Sequence, residues 1–285
     1  MRLTFWGVRG SIPVPGADTS RYGGNTSCVE ISADGAPSVV LDCGTGARLL
    51  GRDMLMRPGR ELHLLFSHFH MDHLFGFPFF SPIFAPSYSM TVTAPAFSAD
   101  GTKDRISRYL NGVFHPLRLP EVPGKLEFDG VRPGRSFYRG PYEILGFALN
   151  HPGGSCAWRV RLAARTIVYV TDTAPLSRPN EGIAAGESPI GREMQMIEFL
   201  RGADIVVFDT MFSLPEYLEK MTWGHSYPEY AVALCGAAGV QALYLFHHAP
   251  DASDADMDQL AEQWSTHAPM RVCVAREGMS VNLEG

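Results

Sequence analysis

The chain has 285 residues, 45% of them apolar, and a formal charge of −6 with a pI near 5.9. The apolar content is ample for a substantial core, whereas the acidic balance argues against a protein whose main task is gripping long nucleic acid, which takes many phosphate contacts from Lys and Arg. No run of about eighteen apolar residues occurs, so no membrane span is expected, and the start, Met1-Arg2-Leu3-Thr4-Phe5-Trp6, enters a strand pattern without a signal-peptide core, which makes the cytoplasm the expected location.

In chain order, residues 3–8, 27–32 and 39–42 read as strands separated by Gly-rich turns, an antiparallel start. The apolar run 62–66 predicts a buried strand that leads into Ser67-His68-Phe69-His70-Met71-Asp72-His73. Residues 75–88 are dense in Phe and Pro, too broken for a long helix and too apolar for an ordinary loop; they are expected to pack over the core or to wall a cleft. Strands follow at 90–94, 142–150, 157–162 and 166–171, with a short helix at 103–110. From Gly191 onward helices (192–200, 228–237, 255–266) alternate with short apolar strands (205–208, 242–246 and one near Val272). With no repeat and no low-complexity linker, the pattern predicts a single α+β domain over 1–285, an αββα sandwich of two mixed sheets packed face to face with helices outside. Cys28, Cys43, Cys156, Cys235 and Cys273 form no CxxC pair and read as buried thiols, Cys43 included.

The HxHxDH cluster places three imidazoles and a carboxylate within six residues, a density that points to a two-metal site. His68 and His70, two apart in an extended segment, point the same way. Asp72 and His73 are expected in the following turn, brought back by a sharp reversal near Gly76 and Pro78. Other polar residues end apolar strands, where a sheet would project them into a shared cleft. His151 precedes Pro152-Gly153-Gly154, and Asp172 follows Ile167-Val168-Tyr169-Val170, where a carboxylate can bridge two cations. His247 and His248 close Leu243-Tyr244-Leu245-Phe246, one imidazole as a ligand and the other behind it or against substrate. His225, in Trp223-Gly224-His225-Ser226, serves either as a helix cap or as a proton donor.

HxHxDH, a lone His, a strand-end Asp and a final strand-end His, in that order, resemble the ligand order of the metallo-β-lactamase fold over nearly the whole chain. Phe5-Trp6-Gly7-Val8-Arg9-Gly10-Ser11, Tyr22-Gly23-Gly24-Asn25-Thr26-Ser27, Leu41-Asp42-Cys43-Gly44-Thr45-Gly46 and Leu245-Phe246-His247-His248 resemble the branch of ribonuclease Z and small bacterial phosphodiesterases. The resemblance implies one metal on His68, His70 and His151, a second on Asp72, His73 and His247, and Asp172 bridging both. It also implies His225 assisting the leaving group and Asp209 orienting it. Where the family often carries an acidic residue after the paired histidines, this chain has Ala249 before Pro250, which bears on substrate rather than on metal.

Two divalent ions, zinc preferred and manganese or iron accommodated, share and acidify a water that attacks the substrate, so hydrolysis is the expected reaction. A phosphodiester comes first, and a cyclic nucleotide or similar small diester suits a compact cleft better than transfer RNA, since 178–191 is short and Gly-rich rather than a long gripping insertion. Ester, amide, thioester or carbon-halogen hydrolysis is the alternative. A non-catalytic scaffold is disfavoured by retention of seven ligands, and di-iron redox chemistry by His70 standing where such enzymes keep a carboxylate. Homodimers are common in the resembled branch, so a homodimer is also expected.

Overall fold

The computed structural model describes residues 1–96, 98–176, 189–266 and 268–283; the 178–191 stretch lies mostly outside them. Its strands are β1 (Arg2–Gly7), β2 (Cys28–Ser32), β3 (Ser38–Leu41), β4 (Glu61–Leu65), β5 (Ser89–Pro95), β6 (Lys125–Val131), β7 (Ser136–Arg139), β8 (Tyr142–Ala148), β9 (Cys156–Leu162), β10 (Arg165–Val170), β11 (Ile205–Asp209), β12 (Ala242–Phe246), β13 (Arg271–Val274) and β14 (Ser280–Asn282). They form two seven-stranded sheets, β14-β1-β2-β3-β4-β5-β6 and β13-β12-β11-β10-β9-β8-β7. Each sheet is antiparallel along one half and parallel along the other, with β3 to β6 and β10 to β13 the parallel runs.

Alternation along the strands explains why the sheets stack. Ile167 and Tyr169 of β10 join Phe5, Val29, Leu65, Trp158 and Phe246 in a core between the two sheets, whereas Val168 and Val170 face the opposite way. The parallel strands are covered on both faces and so read as unbroken apolar runs, such as Val206-Val207-Phe208. Helices α1 (Ala47–Met56), α2 (Met71–Leu74) and α3 (Ala99–Tyr109) lie on the outer face of the first sheet, where Leu50, Met54, Leu74 and Ile106 meet Val40, Leu64 and Val92. On the second sheet α4 (Pro189–Leu200), α6 (Pro228–Ala238) and α7 (Asp254–Ser265) do the same through Leu200, Leu234 and Trp264, with the short α5 (Leu214–Glu219) between β11 and α6.

Several expectations change. Helix α1, strands β6, β7 and β14, and helix α5 were not legible in the pattern, and α3 begins at Ala99, where Ser98 Oγ accepts the Gly101 N–H. Segment 75–88 forms two 3₁₀ turns, Phe77–Phe79 and Ser81–Phe84, that cover α1, with Phe77, Phe80 and Ile83 buried in the outer core. Four cysteines are buried as expected, but Cys273 is half-buried. No helix among the described residues is long and apolar enough to cross a membrane.

Candidate metal centre

Residues at or just beyond the C-terminal ends of β3, β4, β8, β10, β11 and β12 converge on one rim of the sandwich, the usual place for a site in sheets of parallel strands. Three of them, Asp42, Asp172 and His247, follow β3, β10 and β12 with φ of 59°, 53° and 63°. Left-handed backbone at a residue with a side chain costs roughly 1–3 kcal/mol and persists where surroundings over-determine it, often at functional sites. The HxHxDH segment achieves its convergence differently from expectation. Asp72 and His73 sit in α2, with His70 at its N-cap, so the helical turn itself brings them inward. Gly76 does not make the reversal; a Cβ there would collide with the Gly44 carbonyl, so it permits α2 to lie close against the loop after β3.

The sequence-derived ligands assemble into two overlapping groups, His68, His70, His151 and Asp172, and Asp72, His73, Asp172 and His247, within each of which the ligand atoms lie within 4.8 Å of one another. Asp172 serves both. Its Oδ2 lies 3.6 Å from His68 Nε2 and from His151 Nε2, while its Oδ1 lies 3.1 Å from His73 Nε2 and from His247 Nε2. Asp72 Oδ2 is 3.2 Å from both His73 Nε2 and His247 Nε2. Bare nitrogens also meet, His151 Nε2 with His70 Nδ1 at 3.0 Å and His247 Nε2 with His73 Nε2 at 3.3 Å.

These residues fit divalent ions. His68 Nε2 is buried with no hydrogen-bond partner, and a mixed set of imidazole nitrogens and carboxylate oxygens is what zinc and similar cations take. Burial pushes the His68, His70 and His151 rings below their ordinary pKa, toward the neutral form a metal requires. Burial also acts to raise Asp72 and Asp172, yet the facing imidazoles hold both carboxyls far below the usual range.

Behind the ligands a second layer fixes the His73 and His151 rings. Asp42 accepts hydrogen bonds from Ser67 N at 2.7 Å, Ser67 Oγ at 2.8 Å and Tyr169 OH at 2.9 Å, and pairs with His73 Nδ1 at 2.8 Å, which aims His73 Nε2 at the centre. The Gly224 carbonyl accepts from His151 Nδ1 at 2.9 Å, and a Cβ on Gly224 would strike that same ring. In the sequence Asp42 and Gly224 stand only as parts of motifs. Asp42 carried the same signal as Asp172, a carboxylate directly after an apolar strand, and was open to the same reading.

His225 Nδ1 is 3.0 Å from Asp209 Oδ2, and the ring stacks on His247 at 5.1 Å between centroids. Burial would lower His225, but the Asp209 carboxylate outweighs it and raises the imidazole to about 9. A third group, Asp172, Asp209, His225 and His247, is also compact, yet the Asp209 oxygens already take the N–H of Met211 and of Thr173 besides His225. It therefore reads as an oriented histidine beside the centre. His248 turns away, its Nε2 2.8 Å from the Ala275 carbonyl, and Cys43 is buried outside all three groups.

Residues 38–248 match the family described as the β-lactamase superfamily domain. Ribonuclease Z of Thermoplasma acidophilum is 23% identical over 291 residues, covering 89% of this chain and 88% of that protein. Among solved structures, the metallo-β-lactamase fold protein YhfI from Bacillus subtilis aligns with a TM-score of 0.70 at 19% identity, covering 98% of each chain. A diphosphatase from the PhnP family aligns with a TM-score of 0.69 at 17% identity, covering 99% of this chain and 98% of that one. With relatives named as ribonucleases matching over most of its length, the charge argument against a nucleic-acid substrate finds no support.

Proposed function

The chain belongs to the metallo-β-lactamase superfamily and is a hydrolase of that fold, and from this premise we propose that it is a binuclear-metal phosphodiesterase acting on a small diester such as a cyclic nucleotide. The observation that carries this reading is the divided carboxylate of Asp172, one oxygen turned to His68 and His151 and the other to His73 and His247. His68, His70 and His151 would hold one ion and Asp72, His73 and His247 the other, with Asp172 available to both. Two divalent ions so held would acidify a water and neutralise charge building on the phosphoryl oxygens. Zinc suits the nitrogen-rich donor set best.

Asp209 holds His225 by Nδ1, so Nε2 is the nitrogen that meets the leaving group and donates its proton there, a contribution of roughly 10²–10⁴-fold. Asp42, through His73, and Gly224, through His151, position ligands.

The test is metal analysis of the purified chain together with hydrolysis of bis-p-nitrophenyl phosphate and of 2′,3′- and 3′,5′-cyclic nucleotides. Two ions per chain and turnover of at least one diester are expected; a metal-loaded protein inert on the whole panel sinks the reading. The names of the ribonuclease relatives favour a second reading, an RNA phosphodiester, which cleavage of an RNA oligonucleotide with none of the small diesters would select.

A further inference from the structure

Between β11 and α6 the chain builds a small apolar cluster apart from the main cores, Met211, Phe212 and Tyr217 with Tyr227 and Ala249 packed on it. Ser213 closes a capping box with Glu216 at the start of α5, and the Trp223 N–H bonds the Lys220 carbonyl at 2.9 Å just past its end. This short structure holds Trp223 62% exposed, directly before Gly224 and His225. The Trp223 ring lies 6.4 Å from that of Phe212, which lies 5.7 Å from that of His225. Trp223 thus stands one aromatic ring outward from His225. Lys220 Nζ sits 4.9 Å from the Phe212 centroid and 5.7 Å from that of Trp223. The neighbouring Glu216 carboxylate is engaged by Ser213 N and Oγ. Trp223 keeps most of its ring in water, and a cation against that ring limits its freedom.

We propose that Trp223 and Lys220 form a nucleoside subsite beside the metal centre, Trp223 stacking the base of a nucleotide substrate and Lys220 holding the ring in place while drawing the phosphate inward. The inference rests on the phosphodiesterase reading and names its substrate class, a diester carrying a nucleobase. A π-face stacks on any base, so the subsite recognises a nucleoside without selecting among bases.

The test is binding rather than turnover. Zinc-loaded full-length protein is titrated calorimetrically with AMP and with ribose 5-phosphate, which share a phosphate and a sugar and differ in the base. The wild type is expected to prefer AMP by about tenfold, Trp223→Ala to bind the two alike, and Trp223→Phe to keep most of the preference. Lys220→Gln is expected to weaken both ligands together, with a smaller loss at high salt. Equal affinities in the wild type, no AMP binding, or a preference that survives in Trp223→Ala overturns the inference. A protein that prefers AMP through Trp223 yet hydrolyses no diester would instead count against the phosphodiesterase reading alone.

Discussion

The two halves of the candidate metal centre share Asp172 and, through Ser67 Oγ between Asp42 and His68 Nδ1, one hydrogen-bond network, but they differ in exposure and in what aims their other rings. The half made by Asp72, His73 and His247 is buried throughout, and His73 is anchored through Asp42 to the loop after β4 and to Tyr169 of β10. The half made by His68, His70 and His151 has an exposed member, His70, and its His151 is aimed by a single loop carbonyl, Gly224. His73 and His68 are therefore tied to the sandwich, whereas His151 is set by the loop bearing His225. Since Gly224 also precedes His225, the open half and the proposed proton donor are set by one short segment.

Substitutions can erase or sharpen this contrast. Asp172→Ala removes the shared ligand, so both halves are expected to fail together, with metal content near zero by elemental analysis and diesterase activity at background. His225→Ala spares both halves; metal content stays at two per chain while turnover of a diester with a poor leaving group falls roughly 10²–10⁴-fold. An equal loss on p-nitrophenyl esters, which leave without protonation, would falsify the donor role.

Asp42→Asn is expected to loosen the buried half most, where it bonds a ligand ring directly, lowering affinity for one of two ions roughly 10–100-fold in a competitive chelator titration, with a smaller effect on the other through Ser67 and His68. Asp42→Ala also leaves Ser67 and Tyr169 without their acceptor and should cost about 3 kcal/mol or more in denaturant unfolding. Gly224→Ala is the counterpart on the open half, since the added Cβ displaces the His151 ring. Loss of one ion is expected together with a fall in stability of roughly 1–3 kcal/mol, since Gly224 stands at φ 88° and the same Cβ meets Pro152, and a fall beyond that range would show that the loop is as integral as the strands.

The smallest effect concerns His63, which lies on β4 below the HxHxDH segment, buried with both ring nitrogens unpartnered. Burial lowers its pKa below the ordinary 6.5, with Arg139 adding to the effect against Glu61. The unfolded chain then binds the proton first, so the His63 contribution to stability is complete above about pH 6.5 and declines as pH falls below it. His63→Leu should flatten that part of the stability profile in urea melts between pH 5 and 7, leaving metal content at neutral pH unchanged.

The residues that gather at the candidate site were legible in part from local marks and in part from the ligand order of the metallo-β-lactamase fold. An imidazole pair at spacing two lies on one side of an extended segment, and a polar residue directly after an apolar strand projects into the cleft, as Asp172 and His247 do. Strands buried on both faces were equally plain. Helix α1 and strands β6 and β7 were not: α1 mixes Arg48, Arg52 and Asp53 with its apolar face, and β6 mixes Lys125, Glu127 and Asp129 with apolar residues and has no fully buried member, so neither has the long apolar run that marks the central strands.

By itself the amino-acid sequence determined residue types and local spacing, hence two mixed sheets and seven candidate metal ligands in the order the chain presents them. Only the tertiary structure decided that Asp72 and His73 enter by a helical turn, that Asp172 divides its oxygens between two groups, and that Asp42 and Gly224 aim the rings. Those partners lie 31 residues apart for Asp42 and His73 and 73 for Gly224 and His151. No periodicity in a chain encodes a contact across such distances; it arises when the sheets stack and their strand ends meet.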